Sequence, residues 1–174
     1  SFFGAGMVAH VSMAHPVNPR LGDWCARACE NGDIPMQHGG TYLVMEGPQF
    51  STLAESQLYR QWNCDVIGMT NMPEAKLARE AEIPYCTVAM VTDYDCWHPD
   101  HDNVDVDAVI RVLLDNADKA RRLVRAVAAR LTERPALCPS GDDRALDAAL
   151  ITHPDARDPA MLTKLDAVAG RVLT

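Results

Sequence analysis

The chain has 174 residues, 48% apolar and 23% charged, which is ordinary globular composition and the length of one domain. Sixteen Lys and Arg against 24 Asp and Glu leave a net charge of −8, and the basic residues cluster only around Lys119 to Arg130. That balance argues against duplex nucleic acid, whose phosphates need concentrated positive charge. The apolar runs, such as Val88 to Val91, fall far short of the roughly 20 residues a membrane span needs. Six irregularly placed cysteines in a chain able to stand on its core do not indicate a disulfide framework and fit a reducing cytoplasm. The chain opens at Ser1 directly on Phe2-Phe3-Gly4, so a truncated or cleaved product is expected.

Met7 to Met13 reads as a strand. From Asn18 to Gly32, Leu21, Trp24, Cys25, Ala28 and Cys29 recur at spacings of three and four, as on an amphipathic helix. Thr41 to Met45 is a β-rich run between Gly39-Gly40 and Gly47-Pro48, hence a buried strand leading into a loop. Thr52 and Glu55 form a capping box, and Ala54, Leu58 and Trp62 share one face, which predicts a helix over 51–63. Cys64 to Met69 reads as a strand. Asn71-Met72-Pro73 then starts a helix to about Glu82, because Asn caps and Pro suits a first turn.

Tyr85 to Val91 is apolar except for Thr87 and reads as another strand. Val104 to Arg130 traces a long helix with acids early and arginines late, complementing its dipole. After Pro135 two short helices are expected, at 142–150 and 159–170. Strands apolar on both faces that alternate with helices give an α/β class built on a mainly parallel sheet. Only three or four strands are visible, so an N-terminal half of the sheet is expected to be missing.

In open parallel sheets ligands sit outside the carboxyl ends of the strands. Three loops qualify: 45–51, which can present Glu46 and Phe50; 68–71; and 92–97, which carries Asp93 and Asp95 beside Tyr94 and Trp97. Two carboxylates at a strand end repel, which raises one pKa and lets one member donate a proton. A protonated acid on N7 and a carboxylate on the exocyclic amine match the edge of a six-aminopurine. The alternative is that Asp93 and Asp95 cap or solvate a loop and that Phe50 is a core residue. Cys96, His98 and His101 are dense enough to raise zinc, but no second Cys/His pair completes four ligands, so no metal is expected.

MEGPQFST (45–52), DVIGMTNMPEAKLAREAEIPY (65–85) and VTDYDCW (91–97), with the opening FFGAGMVAHVSMAHPVNP, resemble the 5′-methylthioadenosine phosphorylases of the trimeric purine nucleoside phosphorylase family. The resemblance runs from Phe2 to about Arg130 and fades beyond Pro135. It implies a three-layer α/β/α fold with a central mixed sheet, with residues 1–134 as the C-terminal part of the phosphorylase domain and 135–174 as its helical tail. It implies phosphorolysis of methylthioadenosine to adenine and 5-methylthioribose 1-phosphate, with inorganic phosphate as co-substrate and no cofactor. By matching position, Phe50 lies against the purine, Asp93 and Asp95 bind its N7 and amino edge, and Met69 lines the ribose. Thr70 helps hold phosphate, His10 reaches the methylthioribose of a neighbouring subunit, and Val109 and Ile110 contribute to the methylthio pocket.

Relatives that prefer hydroxypurines carry Asn where this chain has Asp93, which favours adenine. Gly68 departs from members with Asn there. The Gly-rich phosphate loop and the Arg-His pair of the family's upstream half have no counterpart in the sequence. The resemblance therefore implies an N-terminal portion acting as a second chain within a homotrimer. The rivals are a hydrolase of the same nucleosides and a non-catalytic nucleoside-binding or oligomerisation fragment.

Overall fold

The computed structural model describes residues 1–98, 106–133 and 135–173. Among these residues five helices and two strands run in the order α1 (Pro19–Asn31), β1 (Tyr42–Val44), α2 (Leu53–Gln61), β2 (Val66–Gly68), α3 (Asn71–Glu80), α4 (Val106–Ala128) and α5 (Pro159–Leu173), with 3₁₀ turns at Asp95–Trp97, Asp142–Arg144 and Pro154–Ala156. The chain divides into two compact units. The first holds residues 1–21, 72–87 and 135–174, and the second holds 22–71 and 88–134.

Local chemistry explains where the helices begin and end. Asn18 accepts the Leu21 N–H at 2.8 Å, the usual N-cap contact, with Pro19 as first helical residue. At the other end of α1, Asp33 takes a left-handed conformation (φ 51°) and the Ile34 N–H returns to the Cys29 carbonyl at 2.9 Å, which satisfies a carbonyl the helix leaves over. Thr52 and Glu55 cap α2 reciprocally: the Glu55 N–H donates to Thr52 Oγ1 at 3.2 Å and the Thr52 N–H donates to Glu55 Oε2 at 2.7 Å. The Thr52 N–H, and after it the Thr52 hydroxyl donating to the same Oε2 at 2.8 Å, hold the Glu55 carboxyl below its ordinary range. Met72 interrupts α3 with extended dihedrals.

In the first unit Phe3, Met7, Leu146, Ala149, Leu165 and Ala169 form a closed core, with Met7, Leu146 and Leu165 at most 1% exposed. Around it lies a frame of paired polar groups. Asp142 is paired with Arg79 and accepts from Asn18, and the Ser140 hydroxyl donates to it at 2.9 Å. Arg171 reaches Glu82 at 2.5 Å and Asp147 at 2.5 Å, which raises its already high pKa.

In the second unit β1 and β2 pair in parallel, Tyr42 opposite Val66 and Val44 opposite Gly68, with α2 between them in sequence as a parallel pair requires. Helices α1 and α4 meet through Ala28, Cys29 and Leu123, flanked by Cys25, Ile34 and Val127. Burial, then the neighbouring Glu30 charge, pushes the Cys29 thiol up.

Three expected elements take a different form. Residues 7–13 make two isolated antiparallel bridges, Met7 to Gly4 and Ala9 to Leu150, in place of a strand. Residues 85–91 form no strand, because none of the described residues offers them a ladder, and Val88 and Val91 are 42% and 60% exposed. The helix expected at 142–150 reduces to a 3₁₀ turn: the Leu146 N–H donates to Glu82 at 2.9 Å, and Leu150 is drawn into the bridge with Ala9. The sheet among the described residues is the two-stranded parallel pair.

Candidate purine site

The second unit carries most of the residues singled out from sequence. Two loops there come together. The first follows β1, from Met45 to Thr52. Gly47 takes φ 71°, and a Cβ on it would meet the Met69 sulfur, so the missing side chain lets Met69 pack directly against this loop. Ser51 donates through its hydroxyl to the Met45 sulfur at 3.7 Å. Phe50, at the crest, is 84% exposed.

The second loop follows residues 86–91. Its approach is held by Asn116 of α4, whose amide donates to the Val91 carbonyl at 3.0 Å. Thr92 donates to Asp93 Oδ2 at 2.6 Å, and the Asp95 N–H donates to Asp93 Oδ1 at 2.9 Å. Asp93 is thus pre-oriented by its own loop while each oxygen retains a lone pair for a ligand. Asp95 sits in the left-handed region (φ 57°), which Asp tolerates, and starts the 3₁₀ turn to Trp97. Its carboxylate has no hydrogen bond among the described residues.

Two contacts join the loops. The Cys96 thiol donates to the Ser51 carbonyl at 3.5 Å. The Arg60 guanidinium, from the last turn of α2, lies 3.7 Å from the centre of the Trp97 ring. Tyr94 packs edge-on to Trp97 at 6.0 Å. Tyr59 faces the same turn, where lost solvation and then the charges of Glu55 and Asp95 raise its phenol pKa.

Gly68 receives a physical explanation. A Cβ there would collide with the Tyr42 hydroxyl and lie 2.9 Å from its ring carbon, so the phenol occupies the space that a side chain at 68 would need. Thr70 is exposed just beyond β2, and Ile110 is 48% exposed on α4. The backbone of Val109 belongs to α4, but its side chain lies outside the described residues, as do residues 99–105, including His101. His10 belongs to the first unit, where it lines an open depression of about 360 Å³ with residues 9–13, Lys76 and Glu80. Among the described residues no group of three or more His, Cys, Asp or Glu is arranged to hold a metal ion.

The chemistry offered is that of amide-like recognition: an apolar ring, a pre-oriented carboxyl and a second carboxylate on adjoining loops. The Cys96–Ser51 and Arg60–Trp97 contacts had no sequence signal, since partners 45 and 37 positions apart leave no periodicity to read.

This βαβ unit with its loops beyond the strand ends places the chain in a class, and the Phosphorylase superfamily model matches residues 1–129: the chain belongs to that superfamily. Among similar proteins, the S-methyl-5′-thioadenosine phosphorylase of Rhodospirillum rubrum is 70% identical over 173 residues, 99% of this chain and 59% of the relative. That of Bradyrhizobium diazoefficiens is 66% identical over 99% of this chain and 60% of the relative. A crystal structure of methylthioadenosine phosphorylase from an antarctic soil metagenomic library superposes with TM-score 0.87 at 47% identity, covering 96% of this chain and 58% of that one. The methylthioadenosine phosphorylase of Schistosoma mansoni in complex with adenine gives TM-score 0.72 at 27% identity over 83% of this chain and 57% of that one. The fold is therefore that of the nucleoside phosphorylases, and the chain spans about three-fifths of the length of these relatives. The family model ends at residue 129, near the Arg130 expected from the sequence, while the alignments with the two relatives continue through the tail.

Proposed function

We propose that this chain supplies the purine- and ribose-binding part of an S-methyl-5′-thioadenosine phosphorylase, a pentosyltransferase that converts methylthioadenosine and inorganic phosphate to adenine and 5-methylthioribose 1-phosphate. The observation that carries the proposal is the joining of loop 45–52 to loop 92–97, which puts Phe50 and the Asp93–Asp95 pair on adjoining segments. In this reading Phe50 lies on the purine face, and a protonated carboxyl of the Asp pair donates to N7 while the other accepts from the exocyclic amine. Met69 lines the ribose, Val109 and Ile110 the methylthio group, and Thr70 holds phosphate. His10 reaches the methylthioribose of a neighbouring subunit in a homotrimer.

The bond from the anomeric carbon to the base nitrogen breaks as a phosphate oxygen forms the new bond to that carbon. The electron pair leaves with adenine and is neutralised by the proton at N7. Positive charge grows on the sugar, and groups that strengthen their contacts on the way to that state accelerate the step. No covalent nucleophile is needed. Inorganic phosphate is a co-substrate, and the reading calls for no cofactor. Residues 1–134 form the C-terminal part of the catalytic domain and 135–174 its tail, acting in the cytoplasm.

The polypeptide corresponding to the uncovered two-fifths of the relatives completes the site with its phosphate-binding part. Exposed apolar residues of the second unit, such as Val91 and Leu114 at 60% and 68%, are the surface on which it packs in this reading. The test is adenine release from methylthioadenosine by the chain completed with that polypeptide. Release that depends on phosphate and yields the sugar phosphate is the expected result. Release in water alone identifies a hydrolase, and a completed protein that binds without turnover identifies a binding module.

A further inference from the structure

The turn that carries Asp95 is held from outside its own loop by one cation. Arg60 belongs to α2 and is absent from the set of side chains argued to meet the nucleoside. Its guanidinium carbon nevertheless stands 3.7 Å from the centre of the Trp97 ring, and α2 packs on the turn Asp95–Trp97. Tyr94 at 6.0 Å and His98 at 5.2 Å also pack on the indole, with their own rings 4.9 Å apart, so Trp97 is the hub of the turn and Arg60 its anchor to a regular element.

The linkage to the acids is covalent and short. Trp97 and Cys96 follow Asp95 directly, and the Asp95 N–H is the donor that fixes Asp93 Oδ1 at 2.9 Å. A rotation of Trp97 off Arg60 therefore turns Asp95 and pulls on the bond that orients Asp93. The same displacement strains the Cys96 bond to the Ser51 carbonyl, next to Phe50. The Arg60 contact thus acts, beside the Cys96–Ser51 bond, on the relative placement of the ring and of both carboxyls. A planar guanidinium suits this task, because it stacks on an indole while remaining charged at every working pH.

We infer that Arg60 is a positioning residue for purine recognition, acting through Trp97 on Asp93, Asp95 and Phe50. The inference rests on the phosphorylase reading, and it concerns a residue that would touch neither nucleoside nor phosphate. Cation–aromatic contacts of this kind are worth roughly a three- to tenfold change in an equilibrium constant.

The experiment uses the completed enzyme with Arg60→Met, Arg60→Lys, Trp97→Leu and, as reference, Asp93→Ala. KM and kcat are measured for methylthioadenosine and separately for phosphate, and thermal unfolding is recorded for each variant. The expected result for Arg60→Met is a KM for methylthioadenosine raised roughly three- to tenfold with the KM for phosphate unchanged. Arg60→Lys, which keeps a cation over the ring, should fall between Arg60→Met and the parent, and Trp97→Leu should match Arg60→Met. Parental values for Arg60→Met, in an enzyme that Asp93→Ala disables, overturn the inference while leaving the phosphorylase reading standing. So does an equal rise in both KM values that tracks a loss of thermal stability in Lys and Met variants alike, because that pattern marks Arg60 as a general structural residue. Full activity of Asp93→Ala removes the reading itself and the inference with it.

Discussion

The two units differ in how large an apolar core they close. The first closes them: Met7, Leu146 and Leu165 are essentially without solvent contact, and the charges around them are paired, Arg79 with Asp142 and Arg171 with Glu82 and Asp147. The second closes only the smaller cluster of Ala28, Cys29 and Leu123 and leaves large apolar side chains open, with Phe50 at 84% and Leu114 at 68% exposure. Burial of apolar area is what stabilises a fold, so the closed core carries more of the chain's stability, and in the proposed function the open surface serves recognition. Substitutions should sort accordingly.

The largest effect expected is on chemistry. A general acid supplies roughly 10²–10⁴-fold in rate, so Asp93→Ala in the completed enzyme should lose about that much kcat. Its unfolding midpoint should stay at the parental value, since Asp93 is exposed. Steady-state assays beside thermal melts check both halves, and a destabilised variant would blur the division between the units.

On the closed side, Asp142→Ala strips Arg79 of its counter-charge and Asn18 and Ser140 of their acceptor at a position 3% exposed. Breaking a buried pair from one side costs about 3–5 kcal/mol, a large share of a domain's stability. Urea unfolding should register it in the midpoint. Leu146→Ala, at 1% exposure, should cost about 2–5 kcal/mol through lost burial and the cavity left behind. Equal tolerance of Leu146→Ala and Leu114→Ala in the same titration would erase the contrast from which the comparison starts.

The smallest effect sharpens the open side. Thr52→Ala removes the cap of α2 and should cost about 1 kcal/mol near neutral pH. The Glu55 carboxyl is held low by its bonds to Thr52, so its contribution is complete above the ordinary carboxylate range and is lost as pH falls through the lowered pKa. Stability measured from neutral to acid pH should therefore show the gap between the parent and Thr52→Ala narrowing at the acid end, as the share carried by the Thr52 hydroxyl bond to Glu55 is lost while the Thr52 cap on the Glu55 N–H remains. A gap that widens on acidification would contradict the capping geometry.

Much of this was legible in the chain. The caps Asn18 and Thr52 announce α1 and α2 because a side-chain acceptor three residues before a free N–H is a local matter. The long apolar period of α4 is equally local. What depended on distant partners was not. Residues 85–91 have the composition of a buried strand, yet strand formation needs a neighbouring ladder, which the described residues do not supply. Residues 142–150 have a helical apolar pattern, yet Glu82 and Ala9 capture the Leu146 N–H and Leu150 from far along the chain. The same holds at the site. Motifs named Phe50, Asp93 and Asp95, while the Arg60–Trp97 and Cys96–Ser51 contacts that join their loops, and the Tyr42 phenol over Gly68, emerge only when the chain is folded.

The central claim is that the Asp93–Asp95 pair receives the amino edge of a purine. A crystal structure of the completed enzyme with adenine tests it most directly. The account predicts carboxyl oxygens of Asp93 and Asp95 within about 3 Å of N7 and of the exocyclic nitrogen, with the Phe50 ring against the base. Adenine bound elsewhere, with both carboxyls turned to solvent, would contradict it.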